Sequence, residues 1–239
     1  MSAAEPIADG LWRLSGDPGH CNVFLLRDGD GVLAFDAGGR TMARGIRRAT
    51  DELGGLTGIV LGHGHTDHRG AAPGLGVPVR CHPDAVEEAE GRGGWDYWDP
   101  HLGFLPLPIR LIHRLLHRFA WDGGPVDIAG TVSAGDEVAA GFVVVEIPGH
   151  APGQIALWRE ADRVALTTDA FYVTDMWGRP TVPAMPVEGY SQDPELARRS
   201  VQQLADLEPL VCWPGHGDPV RADAERGTVA DQLRAAAAA

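Results

Sequence analysis

The sequence predicts an α/β protein with a mixed sheet, on three observations. Short apolar runs divided by Gly-Asp turns open the chain as a β-meander, strand and helix patterns then alternate, and the second half repeats the order of meander followed by helix. No stretch of sequence is itself repeated, so the echo lies in the architecture.

Taken in order, Leu11-Trp12-Arg13-Leu14, Asn22-Val23-Phe24-Leu25-Leu26 and Val32-Leu33-Ala34-Phe35 are the meander strands, with Asp28-Gly29-Asp30-Gly31 as turn chemistry. Residues 40–53 follow as a helix, with Met42, Ile46, Ala49 and Leu53 near helical spacing. Gly58-Ile59-Val60-Leu61 reads as a buried strand that ends in Gly62-His63-Gly64-His65-Thr66-Asp67-His68. Residues 67–72 begin another helix, 77–80 form a short strand, and 83–90 a short acidic helix with Pro83 near its first turn.

Residues 91–130 begin with an aromatic group, Trp95, Tyr97 and Trp98. An amphipathic run comes next, with Leu107, Leu111, Ile112, Leu115 and Phe119 on one helical face and Arg110, His113, Arg114, His117 and Arg118 away from it. The segment is expected to be a lid or pocket wall whose tryptophans, Trp95 and Trp98, contact an apolar substrate. A homodimer contact, a membrane-surface helix, and a helix packed on the scaffold with a solvated basic face stay open. His101, His113 and His117 read as surface histidines.

In the second half, Phe142-Val143-Val144-Val145-Glu146-Ile147 is a strand leading to His150. Gln154-Ile155-Ala156-Leu157-Trp158 and Arg163-Val164-Ala165-Leu166-Thr167 make a hairpin. Residues 194–207 are a helix, 210–213 the last strand, and a closing helix runs from Asp223 into the alanine tail.

The chemistry is concentrated at strand ends. Three imidazoles and a carboxylate within residues 63–68 cannot share one face of a regular helix or strand, but a glycine-flanked turn can fan them around one small volume. Imidazole nitrogen and carboxylate oxygen are donors for zinc and similar divalent metals. Further donors stand where later apolar runs reach a turn: His150 in Pro148-Gly149-His150, Asp169 after Thr167-Thr168, and His216 in Pro214-Gly215-His216. Five histidines and two aspartates are too many for one tetrahedral zinc and suit two adjacent metals, between which a carboxylate such as Asp169 can bridge.

This pattern, HxHxDH followed by His, Asp and His, resembles the metallo-β-lactamase-fold superfamily over nearly the whole chain, including Gly135-Asp136-Glu137-Val138 and Asp36 at the end of its strand. The resemblance implies an αββα sandwich of two mixed β-sheets flanked by helices, as a single domain spanning residues 1–239. It implies one metal on His63, His65 and His150, a second on Asp67, His68 and His216, and Asp169 between them. With Asp rather than Cys in the bridging position, the sequence is similar to the glyoxalase II, lactonase and phosphodiesterase branches. Two departures stand out: Gly62, where the family often has Thr or Ser, and Thr168, where it often has Gly.

The implied activity is that of a dinuclear zinc hydrolase acting on a small lactone, ester or thioester, two zinc ions lowering the pKa of water from 15.7 to near 7. Fe2+ or mixed Fe/Zn/Mn are the alternative metals. Asp67 would orient and deprotonate the water, or serve as a ligand alone. Tyr172, three residues after Asp169, resembles a lactonase tyrosine that aids the substrate carbonyl; a core tyrosine is the rival reading. Asp36 is expected behind a ligand histidine, or else capping its own Gly38-Gly39 turn. Only 23 residues follow His216, too few for the helical domain of true glyoxalase II. Two other classes remain open: a mononuclear iron persulfide dioxygenase using His63, His150 and Asp169, and a non-hydrolytic biosynthetic or binding member of the superfamily.

Composition sets the outer bounds. Gly 32 and Pro 18 make up about a fifth of the 239 residues, below the roughly 25–30% at which disorder dominates. A net charge of −13 argues against a nucleic-acid binder, which needs clustered Lys and Arg. The amino terminus shows neither a basic nor an apolar targeting segment, and no apolar run nears the ~18 residues of a membrane span. Cys21, Cys81 and Cys212 follow no metal spacing and read as reduced, buried thiols, so a cytoplasmic enzyme is expected.

Overall fold

The computed structural model describes residues 3–16, 20–175 and 178–239; Met1 and Ser2 of the amino-terminal stretch read above lie outside it. Among the described residues two mixed sheets pack face to face. The first holds β1 (Glu5–Ala8), β2 (Leu11–Gly16), β3 (Cys21–Asp28), β4 (Gly31–Phe35), β5 (Leu56–Val60), β6 (Val79–Cys81) and β7 (Ile128–Thr131) in that spatial order. Its β1–β4 meander is antiparallel, and β4 through β7 are parallel. In the second half come β8 (Glu137–Ala139), β9 (Phe142–Glu146), β10 (Ile155–Arg159) and β11 (Val164–Thr168), then a separate two-stranded ribbon, β12 (Tyr172–Thr174) with β13 (Pro180–Ala184). β14 (Val211–Pro214) and β15 (Val220–Arg221) complete the second sheet in the order β15-β14-β11-β10-β9-β8, parallel only between β11 and β14.

Alternation along each strand sorts the side chains into three layers. Phe24, Leu26, Leu33, Phe35 and Val60 point inward and meet Phe142, Val144, Leu157, Leu166 and Trp213 of the facing sheet. Each such buried Leu or Phe contributes about 1.5–3 kcal/mol. The opposite faces take helices. Val23, Leu25, Ala34 and Ile59 pack on α1 (Ala43–Glu52) through Ile46 and Ala49. The short α2 (Thr66–Arg69), α3 (Ala72–Leu75) and α4 (Val86–Glu90) lie further along the chain, α3 and α4 adding Leu75 and Ala89 to this layer.

Two more helices, α5 (Gly94–His101) and α6 (Leu107–Leu116), precede the second sheet. Its outer face takes Val201 and Leu204 of α7 (Pro194–Asp206) and Leu233 of α8 (Val229–Ala238). The architecture is therefore the αββα sandwich. The closing helix starts at Val229 rather than Asp223, because Thr228 and Asp231 form a reciprocal capping box that sets its first turn.

The topology places the functional strand ends together. β4 and β5 are parallel, and so are β11 and β14; β9 shares their direction because β10 is antiparallel to both β9 and β11. The chain therefore leaves β4, β5, β9, β11 and β14 with Asp36, the histidine cluster, His150, Asp169 and His216 in turn. No helix among the described residues is long and apolar enough to cross a membrane.

Candidate metal centre

Side chains from these five loops converge. Ligand atoms of His63, His65, His150 and Asp169 lie within 4.8 Å of one another, and so do those of Cys21, His68 and His216. His65 Nδ1 is 3.3 Å from His150 Nε2. On the other side His68 Nε2 and His216 Nε2 stand 3.2 Å apart, and His216 Nε2 is 3.5 Å from Asp67 Oδ2. Asp169 touches both groups: Oδ1 is 3.3 Å from His68 Nε2, and Oδ2 is 3.6 Å from His216 Nε2 and 3.8 Å from His150 Nε2. The Tyr172 hydroxyl donates to Asp169 Oδ2 at 3.3 Å.

These groups fit divalent metal. His63 is fully buried, and among the described residues neither of its ring nitrogens has a hydrogen-bond partner; His150 Nδ1 also has none. A buried polar atom without a partner costs about 1–3 kcal/mol, a cost a bound cation removes at a lone pair that faces it. Burial pushes the His65 imidazole down to about 3 and that of His150 to about 4, and holds His63 well below its ordinary value, so all three are neutral at pH 7 and can donate lone pairs. Burial acts the same way on His68 and His216, but the surrounding acidic groups, Asp169 foremost, together outweigh it and raise both. Burial opposes ionisation of Asp67 and Asp169, yet the neighbouring imidazoles hold both carboxyls below the usual range.

The expected support from Asp36 has a definite geometry. His68 Nδ1 donates to Asp36 Oδ2 at 2.8 Å, and Gly62 N donates to Asp36 Oδ1 at 2.7 Å. The carboxylate thus turns Nε2 of His68 toward Asp169 while tying the histidine loop to β4. Asp36→Ala is expected to weaken metal affinity by about 10–100-fold, the usual effect of removing such an orienting partner. Competition against a chromophoric chelator measures this; unchanged affinity would mean that His68 needs no orienting partner.

Gly215 passes so close that a Cβ there would overlap Asp169 Oδ1 and His68 Cε1, so no larger residue fits this point of the turn. Of the two tryptophans, Trp98 packs edge-on against the His65 ring at 4.9 Å between centroids. Trp95 stands one layer back, against His117 at 5.4 Å, with its Nε1 donating to Asp99.

Three supporting residues were not read from the sequence. Glu88, buried on α4, places Oε1 3.5 Å from His65 Nε2, on the side of the ring away from His150. Burial raises the Glu88 carboxyl to about 8, against the pull of Arg69. Arg69 is itself buried, bonding Gly124 O at 3.0 Å and pairing with Asp122 at 3.2 Å. Asn22 reaches across from β3 to donate to Pro214 O at 2.9 Å and Gly217 O at 2.8 Å, fastening the turn that carries His216.

Cys21 adds to the expectation of reduced, buried thiols. All three cysteines are free and buried, but Cys21 Sγ donates to Asp67 O at 3.1 Å beside His68 and His216. A polar Cys-Asn pair opening an apolar strand was the available signal.

The histidines in and around α6 also need correction. His101 is exposed, but His117 is buried and His113 half-buried, with the Tyr190 hydroxyl 3.1 Å from His113 Nε2. α6 turns this edge inward and leaves its apolar stripe in solvent, the reverse of a helix with a buried apolar face.

An αββα sandwich with a rim of histidines and aspartates defines a metal-binding protein. The metallo-beta-lactamase superfamily model matches residues 16–216, and the chain belongs to that family. Uncharacterized protein ML0493 of Mycobacterium leprae is 30% identical over 224 residues, covering 86% of this chain and 90% of that protein. Probable metallo-hydrolase YflN of Bacillus subtilis is 28% identical over 180 residues, covering 69% of this chain and 66% of that protein. Among solved structures, a beta-lactamase domain protein from Burkholderia ambifaria superposes with a TM-score of 0.68 at 23% identity, over 98% of this chain and 74% of that one. TTHA1623 in a di-iron-bound form gives 0.63 at 24%, over 93% and 96% respectively.

Proposed function

We propose that the protein is a metal-dependent hydrolase holding two zinc ions and cleaving a small lactone, ester or thioester. The observation that carries this reading is the convergence of seven donors on two adjacent groups that both meet Asp169, with both nitrogens of the buried His63 lacking a protein partner. His63, His65 and His150 would hold one ion, Asp67, His68 and His216 the other, and Asp169 both. The names of the Bacillus subtilis relatives, probable metallo-hydrolases, support the same class.

Bound divalent ions supply carbonyl polarisation and an acidified water. The chain's own residues supply the rest. Asp67 is half-buried and held ionised, so its carboxylate can accept a proton from the attacking water. Tyr172 is kept protonated by burial and by the Asp169 charge, so its hydroxyl remains a donor for a substrate oxygen. Trp98 offers the acyl portion an apolar wall beside His65.

Elemental analysis of protein purified without added metal tests the metal count. About two zinc per chain, lost on His65→Ala, agrees with the proposal; lactones and thioesters are then screened. Tyr172→Phe is expected to lower kcat by about 100-fold with metal content unchanged, as when one polarising donor is removed. About one iron per chain, with little zinc even after loading, would replace hydrolysis with persulfide oxidation; the di-iron-bound form of TTHA1623 is a reason to look for iron. Metal held tightly without turnover in either screen would leave a biosynthetic or binding role.

A further inference from the structure

The side of α6 turned to solvent is apolar. Leu107, Leu111, Ile112, Leu115 and Phe119 are between 45 and 68% exposed and fall on one stripe about three turns long. Single exposed leucines are ordinary; a continuous stripe marks an interaction surface.

The orientation is built in. Arg110 Nε donates to Asp99 Oδ1 at 3.0 Å, His113 is in hydrogen-bond contact with Tyr190, and His117 is buried against Trp95. Rolling the stripe inward would break all three contacts. These polar anchors hold the helix with its apolar face outward.

Charge selects the occupant. Residues 107–121 contain Arg110, Arg114 and Arg118 and neither Asp nor Glu, in a chain of net charge −13. Arg114 and Arg118 are exposed along one edge of the stripe, and the Arg118 guanidinium lies over the Phe119 ring at 5.3 Å. A second copy docking antiparallel by two-fold symmetry would set arginine edge near arginine edge, with no carboxylate of the helix to neutralise them. An anionic lipid surface meets both features: the stripe enters the acyl boundary, and the arginine stems lie along it with their charges among the headgroups.

We propose that α6 and the turn after it dock this protein on anionic membrane surfaces, lying in the plane of the interface. The docking face adjoins the wall that carries Trp98 against His65, and it does not depend on the hydrolytic reading.

The test is co-sedimentation of the full chain with vesicles of phosphatidylcholine containing about one third phosphatidylglycerol, against phosphatidylcholine alone. The protein is expected to bind the anionic vesicles at least tenfold more strongly, with the difference shrinking as salt is raised. Leu111→Glu/Leu115→Glu should reduce that binding at least tenfold, and Arg114→Glu/Arg118→Glu should abolish the preference for anionic lipid. Both pairs are exposed, and unchanged thermal melting verifies that the variants fold.

Three results would overturn the proposal. A wild-type dimer in analytical ultracentrifugation that Leu111→Glu/Leu115→Glu dissociates would assign the stripe to a second copy. A monomer that ignores both vesicle types would assign it to a protein partner. Vesicle binding untouched by either double variant would place the lipid contact elsewhere.

Discussion

Asp169→Ala is expected to strip the protein of tightly held metal and to lower its Tm by about 10 °C, to the value the wild type shows in chelator. The size follows from linkage. A metal present at a thousand times its Kd adds about 4 kcal/mol to the folded state. In a domain of about 150–250 residues each kcal/mol moves Tm by about 2–4 °C. Asp169 is the side chain in reach of His68, His150 and His216, and its charge sustains the raised imidazoles of His68 and His216. Removing it therefore damages both donor groups at once.

Asp169→Asn separates the causes. It keeps the shape and one acceptor but removes the charge, so it should lose metal nearly as completely while packing as the wild type does. The decisive comparison is thermal melting of wild type and both variants, each with and without chelator. A wild type whose Tm ignores chelator, at full metal removal by elemental analysis, would mean that metal does not support the fold. Variants that melt well below chelated wild type would mean that Asp169 matters for packing more than for metal.

The candidate donors were legible because each occupies a local pattern, an apolar run meeting a turn, that can be read without knowing the fold. Residues that work through distant partners were not. Asn22 serves a turn 192 residues away, and the approach of Glu88 to His65 depends on how α4 lies against the histidine loop. The amphipathic period separated the apolar stripe from His113 and His117, but it grouped Arg114 and Arg118 with the histidines although both are exposed beside the stripe. Nor could it say which side was covered. That choice rests on Asp99, Tyr190 and Trp95, contacts made only in the folded chain. The start of α8 was a plain miss, since Thr228-Val229-Ala230-Asp231 carries the capping pattern in its own four residues.

The two departures from the family pattern, read separately from the sequence, occupy one space. A Cβ built on Gly62 would overlap the Thr168 methyl and come within 3.1 Å of Phe35. Thr168 is buried with φ +44, a left-handed conformation that a β-branched residue enters at a cost of about 1–3 kcal/mol. With the Gln154 carboxamide turned to donate to Ile147 O, its oxygen accepts from the Thr168 hydroxyl at 3.0 Å and from Ala170 N at 3.3 Å. The hydroxyl bond and the filled volume offset the strain.

Gly62→Thr alone should then cost about 3 kcal/mol, because two branched side chains compete for one site beside the rigid Phe35 ring. That corresponds to a Tm lower by about 6–12 °C. Thr168→Gly alone relaxes the backbone but opens a void and removes one of the two donors to the Gln154 oxygen, so its net effect should be small. The double variant Gly62→Thr/Thr168→Gly restores the volume from the opposite strand end and should recover most of the loss, giving a coupling of about 2–3 kcal/mol in a double-mutant cycle. Additivity within about 0.5 kcal/mol would mean the two positions do not compete, and that Gly62 answers to Phe35 alone. Strong coupling would make the residue next to Asp169 a tenant of the space left open beside His63, so that neither departure can be reverted without the other.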